Sequence, residues 1–252
     1  MHFDVTDALR TLGGQRVWSL LVTIFGDMAG DKGAVIKGPT LSAIMTAMQI
    51  RPEATRVALH RLRNDGWIAS DKVGRTSHHH LTDLGRAQSE AARPRIYRPA
   101  GDAARGWTLV MTEDQTQANR MVELGFAMVI PRVFVGADTC VPPHGALVLG
   151  GSNVPLWLRR EIAPVQLGQD YEALLAILQR ADECLPPAGT IKPVDVAVLR
   201  CLIVHNWRRI VLKHVDLPEA LLPPDWKADA CRTRVHALLG RYPRPDLDDI
   251  TP

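Results

Sequence analysis

Cysteine is scarce in this chain: four occur in 252 residues, at Cys140, Cys184, Cys201 and Cys231, and no two form a Cys-x-x-Cys pair. That spacing excludes thiolate-rich zinc sites, and without a secretory leader the four read as free thiols in a reducing cytoplasm. Long apolar runs are missing too. The longest, Val17–Phe25 (VWSLLVTIF), falls well short of the roughly 18 residues that cross a bilayer and has no small-residue cleavage site behind it, so neither a membrane span nor a signal peptide is expected. The common catalytic signatures are also absent: no Gly-x-Ser-x-Gly elbow, no His-Glu-x-x-His, no P-loop and no dinucleotide fingerprint. Gly150-Gly151-Ser152 could carry a nucleophile, but nothing around it supports one, and a tight turn is the better reading. The expectation is that the chain is not an enzyme.

What is present is the balance of an ordinary globular protein, 46% hydrophobic and 23% charged, in a chain long enough for more than one domain. The net charge of +3 is unevenly placed. Residues 1–96 hold thirteen Lys and Arg against nine Asp and Glu, and the rest hold seventeen against eighteen. The excess has the sign expected where the N-terminal third meets a polyanion.

That third reads as helices and a hairpin. An apolar helical segment, Val17–Met28, follows Gly13-Gly14, and Gly30 to Gly33 breaks the chain. In Pro39–Met48, Leu41, Ile44, Met45 and Met48 form a helix-period stripe. Ile50-Arg51-Pro52 makes a short turn, because a residue before proline avoids the helical region. The helix Glu53–Asp65 (EATRVALHRLRND) then buries Thr55, Ala58, Leu59 and Leu62 and exposes mainly Arg56, His60, Arg61 and Arg63. Gly66 ends it as a left-handed cap. Trp67–Ser70 reads as a strand, Lys72 to Arg75 as a turn, Thr76–Leu81 as the returning strand, and Thr82 or Asp83 as the cap of another helix.

This order is that of a winged helix-turn-helix, whose second paired helix enters the major groove of DNA. The expected DNA-binding residues are Thr55, Arg56, His60, Arg61, Arg63, Lys72, Arg75 and His78. Arg56 and Arg61 could reach guanine edges or phosphates, whereas Arg75 at the wing tip suits a phosphate or the minor groove. A soluble helix that merely carries arginines is the plainer alternative for Glu53–Asp65. The triplet His78-His79-His80 admits a metal reading, but only His78 and His80 share a strand face and no third ligand is marked. A DNA-facing hairpin is preferred and no metal site is expected. Binding would then strengthen below about pH 6.5, where imidazole gains charge.

Arg93 to Gly101 is rich in Pro and Arg and reads as a linker. Beyond it, Trp107–Met111 is a strand, Asp114–Leu124 a helix, Ala127–Val135 a strand interrupted by Pro131, Ala146–Leu149 a further element and Tyr171–Ala181 a helix. The alternation suggests a small α+β domain, ferredoxin-like in type. Val194–Leu212 is apolar on more than one face and marks a helix central to its own bundle or lying against a partner. Prolines punctuate the way to a last helix, Lys227–Leu239, and the tail from Pro243 is polar.

Three stretches, SLLVTIFGD (Ser19–Asp27), RVALHRLRNDGW (Arg56–Trp67) and VGRTSHHHLTDLGR (Val73–Arg86), resemble the PaaX-type repressors of phenylacetic acid catabolism. HNWRRIVLKHVDLPEALLPPDW (His205–Trp226) is similar to that family's C-terminal signature. The resemblance implies a GntR-like winged-helix repressor, working as a homodimer on operator DNA and released by an aryl-CoA thioester, phenylacetyl-CoA in the type case. The segment Glu113–Glu123 has a single arginine where the family suggests more. His205, Arg208 and Arg209 interrupt the apolar C-terminal helix and admit two roles. One is a polar network with Asp195, Asp216 or Asp225; the other is an anion site for the effector's phosphates.

The expected architecture is α+β: a winged-helix DNA-binding domain over 1–92, a linker over 93–103, a central α+β domain over 104–183 and a C-terminal helical domain over 184–252. The expected function is a cytoplasmic DNA-binding repressor of aromatic-acid catabolic genes, with no cofactor, an acyl-CoA effector and no membrane contact. The alternatives are a regulator of another pathway with a different effector and a protein-interaction module without specific DNA binding.

Overall fold

The computed structural model describes residues 4–14, 16–99, 101, 104, 106–113, 118–151 and 153–250. The class is α+β. Contacts group the chain into two units rather than in linear order. The first gathers Met1–Tyr97, Ala176–Arg209 and Arg234–Pro252; the second holds Arg98–Leu175 and Ile210–Thr233.

In the first unit, α1 (Val5–Thr11) starts at Asp4, whose carboxylate accepts from the amides of Thr6 and Asp7. Then come α2 (Val17–Met28), β1 (Ile36–Lys37), α3 (Gly38–Ala47) and α4 (Pro52–Asn64). After them lie β2 (Ile68–Val73), β3 (Thr76–Leu81) and α5 (Asp83–Tyr97). Pro52 opens α4, where its missing N–H costs nothing. Gly66 closes it with φ 72°: its N–H reaches Arg63 and the N–H of Trp67 reaches the Leu62 carbonyl at 2.9 Å, a Schellman end.

The three short strands pair in the order β1-β3-β2, all antiparallel. Thr82 caps α5, its hydroxyl accepting from the Gly85 amide at 3.1 Å and donating to the Gly66 carbonyl at 2.5 Å, which ties the end of α4 to the start of α5. A methyl on Gly85 would sit 2.1 Å from the Trp67 carbonyl, so the chain crossing here requires glycine.

The linker expected from Arg93 onward is helical as far as Tyr97, with Pro94 inside α5. Tertiary bonds hold that last turn: the Trp207 indole donates to the Ile96 carbonyl at 2.8 Å and the Tyr97 hydroxyl to Asp27 at 2.8 Å.

The later chain continues as β4 (Trp107–Met111), α6 (Ala118–Glu123), β5 (Phe126–Ile130), β6 (Val133–Ala137), β7 (Leu147–Gly150) and α7 (Leu156–Ile162). The helices α8 (Val165–Cys184), α9 (Pro193–Val211) and α10 (Ala228–Arg241) complete it. The C-terminal helices are not a separate bundle. Up to Arg209, α9 faces α2 in antiparallel register: Arg200 meets Asp27, His205 Nδ1 lies 3.4 Å from Thr23 Oγ1, and Arg208 donates to the Ser19 carbonyl at 3.4 Å. Ser19, Thr23 and Asp27 recur every four residues, so one stripe of α2 is polar where α9 crosses it. Asn206 also donates to the Leu9 carbonyl of α1 at 2.8 Å. The apolar surface of α9 is therefore consumed within its own unit, with Trp207, Leu202 and Ile203 buried.

The second unit is built on a sheet of order β5-β6-β4-β7, antiparallel throughout. The single interrupted strand expected over Ala127–Val135 is two strands. Pro131-Arg132 forms a two-residue turn with Arg132 at φ 71°, which fits proline at the first turn position followed by a left-handed residue. One sheet face packs Val110, Phe126 and Phe134 on Met121 of α6. The other packs Val135 on Val154, Leu158, Leu217 and Leu221. The edge strand β7 leaves Leu147, Val148 and Leu149 exposed. Of the helix expected from Asp114, residues 114–117 lie outside the described residues, as does Ser152.

Candidate nucleic-acid interface

The residues expected to meet DNA are set by α3, α4 and the β2–β3 hairpin. A four-residue connection, Met48–Arg51, joins the two helices, with Gln49 in the left-handed region at φ 62°. Leu62 and Ala58 of α4 are buried, so the opposite side faces solvent. Glu53, Arg56, Val57, His60, Arg61, Arg63 and Asn64 are all exposed. The Arg56 side chain is 73% exposed and bonds Glu53 at 2.9 Å, a surface pair of little strength that an incoming phosphate or base can displace.

Arg61 is more engaged. Its guanidinium carbon lies 5.7 Å from the Trp18 ring centroid and its Nε 3.6 Å from Asp65. Thr55 lies on the other side: it is buried and its hydroxyl donates to the Arg51 carbonyl at 3.4 Å, so it is not among the exposed groups.

In the hairpin, Gly74 at φ 61° and Arg75 form the two-residue loop between paired Val73 and Thr76, the geometry that suits the right-handed twist of the strands. Lys72 and Arg75 are exposed at its tip. The histidine triplet divides between the sheet's faces. His79 is buried, its Nδ1 2.7 Å from Ser70 Oγ, and burial, with Arg63 nearby, holds its pKa below the ordinary imidazole value. His78 and His80 lie on the outer face, His80 3.5 Å from Asp71. Among the described residues, no three His, Cys, Asp or Glu side chains gather as a metal site.

Two exposed residues escaped the sequence reading. Val57 is 70% exposed in the middle of the α4 stripe, where a branched methyl pair can meet a thymine methyl. Arg51 stands at the N-cap of α4, where a cation beside free amides suits a phosphate. The signal for both was positional: an apolar residue out of phase with the buried stripe, and a cation directly before a helix-starting proline.

His205, Arg208 and Arg209 lie away from this surface. The partners expected for the arginines, Asp195, Asp216 or Asp225, are replaced by α2: Arg208 bonds the Ser19 carbonyl and, at 3.1 Å, Thr23 Oγ1. Burial lowers the Arg208 pKa. Burial and the two arginines push His205 down to about 4, so it is neutral at pH 7. Arg209 lies against Gly13. Among the described residues of this unit Asp27 is the buried carboxylate, answered by Arg200 at 3.1 Å and by Arg244 at 3.4 Å.

The family description "PaaX-like protein" matches residues 16–85, and "PaaX-like protein C-terminal domain" matches residues 164–245. The transcriptional repressor PaaX of Escherichia coli (strain K12) is 26% identical over 249 residues, covering 85% of this chain and 76% of that protein. Among solved structures, the uncharacterized protein Rv0674 from Mycobacterium tuberculosis aligns with a TM-score of 0.53 at 18% identity, over 89% of this chain and 96% of that one, a likeness of fold alone. The two family matches hold α2 and α9, whose facing stripes carry Asp27, Thr23, Arg200 and Arg208. The chain belongs to the PaaX-like protein family.

Proposed function

We propose that this chain is a transcriptional repressor that binds double-stranded operator DNA through a winged helix-turn-helix. In this reading α4 enters the major groove and the β2–β3 hairpin follows the backbone or the minor groove. The observation that carries it is the solvent-facing stripe of α4, with Arg56, Val57 and His60, folded beside a hairpin whose tip holds Lys72 and Arg75. Exposed Arg63, and Arg56 on displacing its surface pair with Glu53, reach for base edges or phosphates; Arg61, stacked on Trp18, is held for a backbone contact.

The strand order β5-β6-β4-β7, with α6 crossing between β4 and β5, supports a ferredoxin-like reading of the second unit. By likeness to its family, the protein acts as a cytoplasmic homodimer and leaves its operator when it binds an aryl-CoA thioester such as phenylacetyl-CoA. The genes it controls then serve aromatic-acid breakdown. No helix among the described residues is long and apolar enough to cross a membrane.

A gel shift with DNA from the chain's own upstream intergenic region tests the reading. The expected result is retention of that DNA at salt concentrations where a scrambled duplex of equal length is lost. Equal retention of both duplexes at every salt concentration overturns specific repression.

A further inference from the structure

The second unit carries a half-open cavity of about 760 Å³, within the roughly 300–1,000 Å³ usual for small-molecule sites. Its wall is largely the signature segment noted in the sequence, Asp216-Leu217-Pro218 through Leu222-Pro223-Pro224-x-Trp226. Leu217, Leu222 and Trp226 give it an apolar side, and the Trp226 ring is held edge-on by Tyr171 at 5.3 Å. Arg98, Arg159 and Arg232 give it a guanidinium side.

These arginines are unequally satisfied. Asp216 pairs with Arg98 and lies 3.9 Å from Arg232, which also donates to the Arg98 carbonyl at 3.5 Å. Arg159 bonds the carbonyls of Val154 and Leu222, both at 3.2 Å, and pairs with no carboxylate among the described residues. Arg98 Nε and Trp226 Nε1 are buried donors without an acceptor among the described residues. Glu219 and Asp229 also border the cavity, and both are exposed, Asp229 close enough for its charge to act on Arg232. An apolar wall facing Arg159, bonded to carbonyls only, and the unmatched Nε of Arg98 is the chemistry of a site for a molecule that is greasy at one end and anionic at the other.

We propose that this cavity binds an amphipathic organic anion, its aromatic or aliphatic part on Trp226, Leu217 and Leu222 and its carboxylate or phosphate on Arg159, Arg98 and Arg232. Asp216 is the internal stand-in for that anion and yields its place when the ligand enters. The inference rests on the repressor reading only in naming this cavity, rather than His205, Arg208 and Arg209, as the effector's seat.

Isothermal titration of the full chain with phenylacetyl-CoA, coenzyme A, phenylacetate and octanoate tests it, with the melting curve of each variant recorded to show that it is folded. At least one probe is expected to bind. Arg159→Gln, Arg98→Gln and Trp226→Leu are each expected to weaken it by roughly ten- to a hundredfold. Asp216→Asn, which removes the competing carboxylate, is expected to tighten it. Arg56→Ala, on α4, leaves it unchanged.

Binding that is indifferent to all four cavity substitutions overturns the cavity while leaving an acyl-CoA effector standing elsewhere. Binding of the free acids but not of the thioester keeps the cavity and removes the acyl-CoA reading. Binding of no probe removes both. Repression itself is judged apart, by the gel shift without ligand.

Discussion

Asp27 of α2 takes two hydrogen bonds from the single guanidinium of Arg200 on α9, Nε to Oδ2 and Nη2 to Oδ1, both at 3.1 Å and both out of water. Tyr97 donates to the same carboxylate at 2.8 Å and Arg244 at 3.4 Å. Burial first and Asp27 second hold the Tyr97 phenol far above its ordinary pKa, which keeps it a donor. Three segments remote from α2 in sequence thus end on one carboxylate. Such a cluster fixes geometry more than it adds net stability, because desolvation offsets much of the attraction.

Removing one side of that cluster leaves buried charge behind. Asp27→Asn is therefore expected to cost about 3–5 kcal/mol in urea unfolding, whereas Tyr97→Phe, which deletes one hydrogen bond, costs about 1 kcal/mol. Equal and small losses for both would show that Asp27 is hydrated and not the hub.

Gly85→Ala tests the junction of α4, the hairpin and α5. Its new methyl would meet the Trp67 carbonyl at 2.1 Å, and backbone cannot yield as a side chain can. A loss of about 1–3 kcal/mol is expected, read by thermal unfolding. The same change at Gly240, where nothing stands within 4 Å, is the control and should be neutral or slightly stabilising.

His205 gives stability a pH dependence. Its folded pKa, about 4, lies below the unfolded value of 6.5, so the unfolded chain binds the proton more readily. The contribution is full above pH 6.5 and is lost as pH falls toward 4. It amounts to roughly 3 kcal/mol when exhausted. His205→Gln should flatten this limb of a melting-temperature profile recorded from pH 7 to 4; an unchanged slope would mean that the imidazole is solvated.

Much of this was legible from residue patterns. The strand Thr76–Leu81 and the helix Val17–Met28 stand where alternation and apolar run put them, because each is bounded by glycine or a capping residue. The division of the histidine triplet followed from strand alternation alone. What was hidden is long-range. Nothing local announces that Asp27 meets Arg200, or that the Pro94 turn stays helical because Trp207 and Tyr97 pin it. The short α1, β1 and α7 gave no periodic signal. Asp216, read as a partner for interior arginines, does pair with arginines, but with Arg98 and Arg232 at the cavity rather than with Arg208. Sequence fixes residue type and spacing; which side chain answers a buried charge is decided by packing.

Arg75 and Arg56 should separate positioning from reading. Arg75→Ala at the hairpin tip is expected to weaken binding to all duplexes about equally and to lower the slope of log affinity against log salt by about 1. A loss confined to one sequence would make Arg75 a base contact.

The most direct test of the central claim is fluorescence anisotropy of the chain and its Arg56→Ala variant on a labelled duplex from the upstream intergenic region and on a scrambled duplex. The ratio of the two affinities should be large for the native chain and fall by roughly ten- to a hundredfold in the variant, the cost of one lost base contact, while affinity for the scrambled duplex changes little. An unchanged ratio, with both affinities falling together or neither, would contradict recognition by α4.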